Sequence, residues 1–304
     1  MADSKAPADQ RNAGSDHLLR IVSDDGRLRG AAAVTTTLVE EVRRRQGTDP
    51  TATVALGRLA TGAALMGSLL KGEQRLAVTM EGNGPLRKLF AETDAHGRIR
   101  ASVKVPEAGL PPREGRYDVA GAIGRAGFLH VSKDLGLKEP YRSMVHLHSS
   151  EVAEDLAWYL TTSEQVPSSV GLGVSLQEDW RVATAGGFLV QALPPADQGR
   201  LEQLEMHLRQ LPSVTLLLRE GAGPRRILER IFADIPFRVV GENPLAFHCS
   251  CSRKQAVRML KLLGAEELRT LAERLEETTV TCEFCREVYT FTPAEIRDIP
   301  LDGE

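Results

Sequence analysis

The residues best suited to chemistry are four cysteines, and all of them lie in the last quarter of the chain. They form two short pairs about thirty residues apart, His248-Cys249-Ser250-Cys251 and Cys282-Glu283-Phe284-Cys285. Residues 1–247 contain no cysteine. A Cys-x-Cys pair and a Cys-x-x-Cys pair at this separation supply the ligands of one tetrahedral zinc site with four sulfurs, Cys249, Cys251, Cys282 and Cys285. A site filled by four sulfurs keeps no open position for water, which argues against a hydrolytic centre. His248 is read as a neighbour of the site rather than a ligand.

Such a site is also a set of four thiolates. Zinc keeps its sulfurs ionised at neutral pH, whereas a free thiol of pKa about 8.5 is only a few per cent thiolate. The thiolate is the form that peroxide attacks. Each pair is close enough in sequence to close its own disulfide, which would remove the ligands. The binding energy of a structural zinc, about 10–16 kcal/mol in small peptides, is also folding energy. The spacing alone leaves two readings open. One is a passive zinc ribbon in a nucleic-acid- or protein-binding module. The other is a removable staple whose loss unfolds its unit.

The elements that must position the cysteines follow from periodicity and punctuation. Residues 1–16 are small, polar and charged, have no apolar run, and read as a disordered lead-in without a signal peptide. Residues 17–193 read as one α+β domain. His17 to Val22 and Arg27 to Val34 flank the turn Asp25-Gly26 as strands. Thr36 is placed to cap a helix that ends near Gly47. Thr51 to Leu70 has the length of a membrane span, but it contains Arg58, Gly57, Gly62 and Gly67. It reads instead as a helix buried on nearly all sides of a soluble domain. Further strands are expected at Gln74 to Met80, Ile99 to Val105, Phe128 to Lys133, Val170 to Leu176 and Phe188 to Ala192. A helix capped by Ser149 or Ser150 is expected before Pro167. Gly97-Arg98-Ile99-Arg100 echoes Gly26-Arg27-Leu28-Arg29, a weak hint of a repeated hairpin.

Residues 194–243 read as a helical linker that needs a neighbour to dock on. Its apolar residues Leu201, Leu204, Met206, Leu208 and Leu211 form a candidate surface for unfolded proteins if the linker comes loose. Residues 244–304 read as a small zinc-binding unit. Ser252 caps one helix, Glu266 to Glu276 forms a second, and a hairpin flanks Cys282-x-x-Cys285. About sixty residues is a marginal size for a core without metal.

The charge of −3 argues against a constitutive nucleic-acid binder. No phosphate-binding glycine loop or nucleophile elbow supports an enzyme. Ser163-Glu164-Gln165 and His146-Leu147-His148 read as a polar helix end and a strand with surface histidines. Four clustered cysteines do not make a disulfide-stapled secreted fold, so the cytoplasm is the expected location.

Three stretches together resemble the redox-regulated 33 kDa heat-shock chaperone family, a zinc-switched holdase. They are the cysteine signature with Val280-Thr281-Cys282-Glu283-Phe284-Cys285, the run Glu151 to Ser168, and Gly82-Asn83-Gly84-Pro85-Leu86. The resemblance implies a layered β/α/β N-terminal domain around a buried helix. It implies an ATP-independent chaperone that is folded and largely inactive when reduced and zinc-bound. It further implies that oxidation forms the Cys249–Cys251 and Cys282–Cys285 disulfides, releases zinc, and unfolds the C-terminal unit and linker. The oxidised form would dimerise and hold unfolding or oxidatively damaged client proteins.

Overall fold

Residues 15–195, 197–274 and 276–300 are described by the computed structural model. The chain divides into two compact units between His248 and Cys249. The first unit begins with the hairpin β1 (His17–Ser23) and β2 (Leu28–Val34), then α1 (Thr36–Gln46) and α2 (Pro50–Gly67). A meander follows, β3 (Arg75–Gly82), β4 (Lys88–Asp94) and β5 (Arg98–Val103). Next come α3 (Val119–Ile123), β6 (Gly127–Asp134), β7 (Tyr141–His146), α4 (Val152–Thr162), β8 (Ser168–Leu176) and β9 (Val182–Ala192). Three helices, α5 (Gln198–Gln210), α6 (Val214–Arg219) and α7 (Pro224–Phe232), lead to β10 (Phe237–Pro244) and β11 (Ala246–Phe247).

Helix α2 is the centre of the unit. The Asp49 side chain accepts from Ala52 N at 2.7 Å, and Pro50 fills the first turn, where no backbone donor is needed. Nearly every residue of α2 is then buried, because a sheet lies on each side of it. One sheet runs β10-β1-β2-β9-β8 and the other β11-β5-β4-β3-β6-β7. This is a mixed α+β fold with a β/α/β layering. Gly57 and Gly62 permit the close approach. A Cβ at Gly57 would stand 2.5 Å from Val39 of α1, and one at Gly62 would stand 2.3 Å from Leu156 of α4. Arg58 escapes the apolar surroundings by donating from Nη1 to Glu151 Oε2 at 2.7 Å. Among the described residues no helix is long and apolar enough to cross a membrane.

Four expectations change. Residues 1–14 of the lead-in lie outside the described residues, but Asp16 is buried and structured. Its carboxylate accepts from Thr37 N at 3.1 Å and from Leu38 N. Asp16 thus caps α1 from a distance in sequence, while Thr35 at the N-cap position makes no side-chain cap bond. Burial raises the Asp16 pKa, partly offset by those backbone donors. Helix α4 likewise starts after Glu151 rather than at a capping serine. The two Gly-Arg-x-Arg phrases do share a role, since Gly26 and Gly97 both take positive φ (73° and 76°) just before a strand. They do not mark a repeat, since β2 lies between β1 and β9 while β5 lies between β4 and β11.

The last change concerns the linker. Its helices form a further layer on the outer face of the first sheet. Leu204, Val214, Leu217, Leu218, Ile227, Leu228, Ile231 and Phe232 pack with Leu19, Ile21, Leu28, Phe188 and Val190 into one apolar cluster. Leu201, Leu208 and Leu211 lean on that cluster, partly buried. Met206 does not belong to the stripe and is 52% exposed. It lies five positions beyond Leu201, about 140° round the helix at 100° per residue. After α7 the chain returns to the sheet as β10, antiparallel to β1. The segment 237–244 is therefore strand rather than helical linker, and the separate C-terminal unit starts at Cys249 rather than at residue 244.

Candidate metal centre

The second unit contains α8 (Arg253–Lys261), α9 (Ala265–Glu273), the hairpin β12 (Thr278–Thr281) and β13 (Val288–Phe291), and α10 (Pro293–Arg297). Ser252 caps α8 by accepting from Gln255 N at 3.3 Å. Thr292 and Glu295 form a capping box on α10. Its buried apolar core is small: Ala256, Leu260, Leu268, Ala272, Phe291, Ile296 and Ile299.

The cysteines enter from two directions. Cys249 and Cys251 lie on the irregular segment that leads into α8. Cys282 and Cys285 lie in the turn of the hairpin, where Cys282 N donates to Glu287 O at 2.9 Å and Arg286 N to Cys282 O at 3.0 Å. Arg286 takes a left-handed φ of 60° to close that turn. Arg253, two residues past Cys251, ties the first strand of cysteines to the hairpin. Its guanidinium stacks 4.2 Å from the centroid of the Phe291 ring and donates to Thr290 O at 2.8 Å. It also pairs with Glu295 at 2.6 Å.

The result is a single cluster. All four Sγ atoms lie within 4.8 Å of one another. Cys249 Sγ is 3.6 Å from Cys282 Sγ, and Cys251 Sγ is 3.2 Å from Cys285 Sγ. Tetrahedral ligation with metal–sulfur bonds of about 2.3 Å places sulfurs about 3.8 Å apart, and both of these spacings fall below that value, within reach of one shared ion. The charges agree. Burial and neighbouring thiols push the Cys249 and Cys285 thiols up. Cys282 is held below the usual thiol range, because N–H groups of Cys285 and Phe284 outweigh its burial. Burial and neighbouring thiols thus oppose ionisation at Cys249 and Cys285. A divalent cation is the partner that lets all four ionise together. Soft sulfur ligands in this number suit zinc. His248 is outside the cluster, its N–H donating to Ile99 O at 2.8 Å in the first unit.

A family profile described as Hsp33 protein matches residues 16–292, which include all four cysteines. The chain belongs to the Hsp33 family. It is 62% identical over 282 residues to the 33 kDa chaperonin of Syntrophotalea carbinolica, covering 93% of this chain and 98% of that one. It is 52% identical to the 33 kDa chaperonin of Geobacter sulfurreducens, covering 93% and 94% respectively. The fold matches the crystal structure of the 33 kDa chaperonin (heat shock protein 33 homolog) from Thermotoga maritima with a TM-score of 0.87 and 37% identity. That match covers 93% of this chain and 97% of that one.

The other polar motifs of this Hsp33-family chain serve the fold. Lys133 of β6 and Glu164 form an ion pair, and Ser163 Oγ meets Ser143 Oγ at 2.5 Å. These bonds fix the end of α4 against the second sheet. His148 stacks 4.7 Å from Trp158, and its N–H donates to the buried Asp155. Sequence reasoning passed over Tyr289, whose hydroxyl donates to Cys251 Sγ at 3.2 Å. Its place on the strand leaving the Cys-x-x-Cys turn was the available signal.

Proposed function

We propose that this member of the Hsp33 chaperone family is a redox-regulated, ATP-independent holdase of the cytoplasm, with its switch at Cys249, Cys251, Cys282 and Cys285. The supporting observation is the place of the cluster. Four sulfurs join the two halves of a unit whose own core is a handful of apolar side chains. Such a unit depends on its metal for much of its folding energy. Zinc, when bound, would supply charge compensation that keeps all four sulfurs as thiolates.

Oxidation acts on the protein's own sulfurs. In each pair two thiols and one hydrogen peroxide give one disulfide and two waters, so the Cys249–Cys251 and Cys282–Cys285 pairs consume two peroxides. No thiolate then remains to hold the metal. Disulfides closing loops of three and four residues restore little of the lost constraint. The second unit unfolds, and the linker follows when its hold on the first sheet is weakened. That release would uncover two apolar faces together, the stripe Leu201, Leu204, Leu208 and Leu211 and the sheet residues Leu19, Ile21, Phe188 and Val190. Surfaces of this kind bind apolar segments of unfolding proteins and also favour a homodimer of the oxidised form. Nucleic acid has no part in this reading, and no catalytic reaction is assigned.

The test uses the reduced, zinc-loaded protein with peroxide at raised temperature. Zinc release, read with a chromophoric chelator, should coincide with suppressed light scattering of a heat-unfolding client. Retained zinc, or release that leaves client aggregation unchanged, refutes the reading. Salt-sensitive binding of the reduced protein to a nucleic-acid probe would favour a redox-independent zinc ribbon instead.

A further inference from the structure

Both backbone and side-chain groups donate to the sulfurs of the cluster. Backbone N–H groups of Cys285 and Phe284 serve Cys282, that of Glu287 serves Cys285, and that of Cys251 serves Cys249. Those donors come with the backbone turns. Cys251 receives a side-chain donor, the Tyr289 hydroxyl at 3.2 Å. The hairpin places it there. Tyr289 pairs with Val280 across β12 and β13, and its ring rests half-buried against the core of the second unit. Packing explains the ring. It does not explain why the hydroxyl is aimed at a sulfur.

We propose that Tyr289 sets the oxidant threshold of the switch by drawing charge from Cys251 Sγ and slowing its attack on peroxide. This rests on the redox reading above. In that attack a sulfur lone pair bonds to one peroxide oxygen, the O–O bond breaks, and hydroxide leaves. The resulting sulfenic acid is then attacked by the sulfur of its partner, which forms the S–S bond and expels a second hydroxide. A hydrogen bond to the sulfur stabilises the lone pair before it attacks, so the barrier rises. Hydrogen bonds to charged groups are the stronger class, and thiolate attack expresses a little under half of a change in sulfur basicity. Together these place the effect of the Tyr289 hydroxyl at about three- to tenfold in rate.

The variant Tyr289→Phe keeps the ring and removes the donor. The full-length reduced, zinc-loaded protein is treated with iodoacetamide, and each cysteine is followed by mass spectrometry. Iodoacetamide reads sulfur nucleophilicity directly: sulfur bonds to carbon and iodide leaves, with no redox step. The expected result is a rise of about three- to tenfold in the Cys251 rate relative to Cys282 in the same molecule. The concentration of peroxide needed to oxidise Cys251 should fall correspondingly. An unchanged ratio overturns the proposal. A uniform rise at all four sulfurs also overturns it, since that reports loosened packing. A selective rise at Cys251, with peroxide then affecting neither zinc retention nor client aggregation, upholds the Tyr289 role and refutes the chaperone switch. If Tyr289→Phe leaves the second unit unfolded, Tyr289→3-fluorotyrosine retains the shape with a stronger donor. It should then slow Cys251, and no slowing overturns the proposal.

Discussion

Replacing Leu204 with alanine should free α5 from the first sheet while the rest of the layer stays in place. Leu204 is the one buried side chain of this 13-residue helix, whereas the nine-residue α7 buries Pro224, Ile227, Leu228, Ile231 and Phe232. Beyond Leu204, α5 is held by the partly buried Leu201 and Leu208 and by partly exposed polar contacts: the Arg27–Asp197 ion pair, Arg200 to Asp25 at 3.4 Å, and His207 Nδ1 to Ile231 O at 3.1 Å. Exposed ion pairs contribute little. Removing the buried part of one leucine at this margin costs about 2–3 kcal/mol. If α5 opens as its own unit, that cost appears in full as lost protection, about 30- to 150-fold. Hydrogen exchange read by mass spectrometry on the reduced, zinc-loaded Leu204→Ala protein should show this change across residues 198–210. Residues 224–232 and α2 should keep wild-type protection. The reduced variant should also partly suppress client aggregation without oxidant. Loss of protection in α7 together with α5 would refute the reasoning, because the linker would then be a single cooperative block.

Other outcomes follow from the same geometry. Cys282→Ser should abolish stoichiometric zinc binding and remove the far-UV circular dichroism of α8–α10, while the first unit keeps its thermal transition. Gly62→Val places side-chain atoms where Leu156 Cδ1 already stands 2.3 Å from an ideal Cβ. It should cost at least about 1–3 kcal/mol and lower the Tm of the first unit by about 2–4 °C per kcal/mol. Hydrogen bonds from Arg43, opposed by burial and helped by Val182 N–H, hold Glu40 below the ordinary glutamate range. Its contribution is therefore complete above the unfolded pKa and is lost as pH falls through the lower folded value. Glu40→Gln should destabilise the protein by about 1–2 kcal/mol at pH 7, and denaturant titrations should show that gap closing in acid. Asp16→Ala removes the carboxylate that caps α1 and should cost about 0.5–2 kcal/mol, measurable by the same titration.

Local signals carried much of the organisation. Apolar runs and turn punctuation placed β1, β3, β6 and the hairpin β12–β13, and Ser252 marked the start of α8. The glycine spacing of residues 51–70 foretold a helix packed closely on several sides. The cysteine spacing foretold one four-sulfur cluster, because two short pairs converge whenever a hairpin returns to the start of a helix. These features depend on residues a few positions apart.

The tertiary structure decided what long-range pairing decides. Strand β10 joins β1 across more than two hundred residues, and nothing within Phe237–Pro244 names that partner. The linker's docking surface is the first sheet, a choice made by the face that β1, β2 and β9 present only once assembled. Asp16 caps a helix it does not adjoin, and Met206 turns away from the stripe that its neighbours share. At the metal centre the sequence determined which atoms could bind, since ligand type and spacing are local. Only the folded hairpin could bring the Tyr289 hydroxyl to Cys251, because that contact joins residues 38 positions apart.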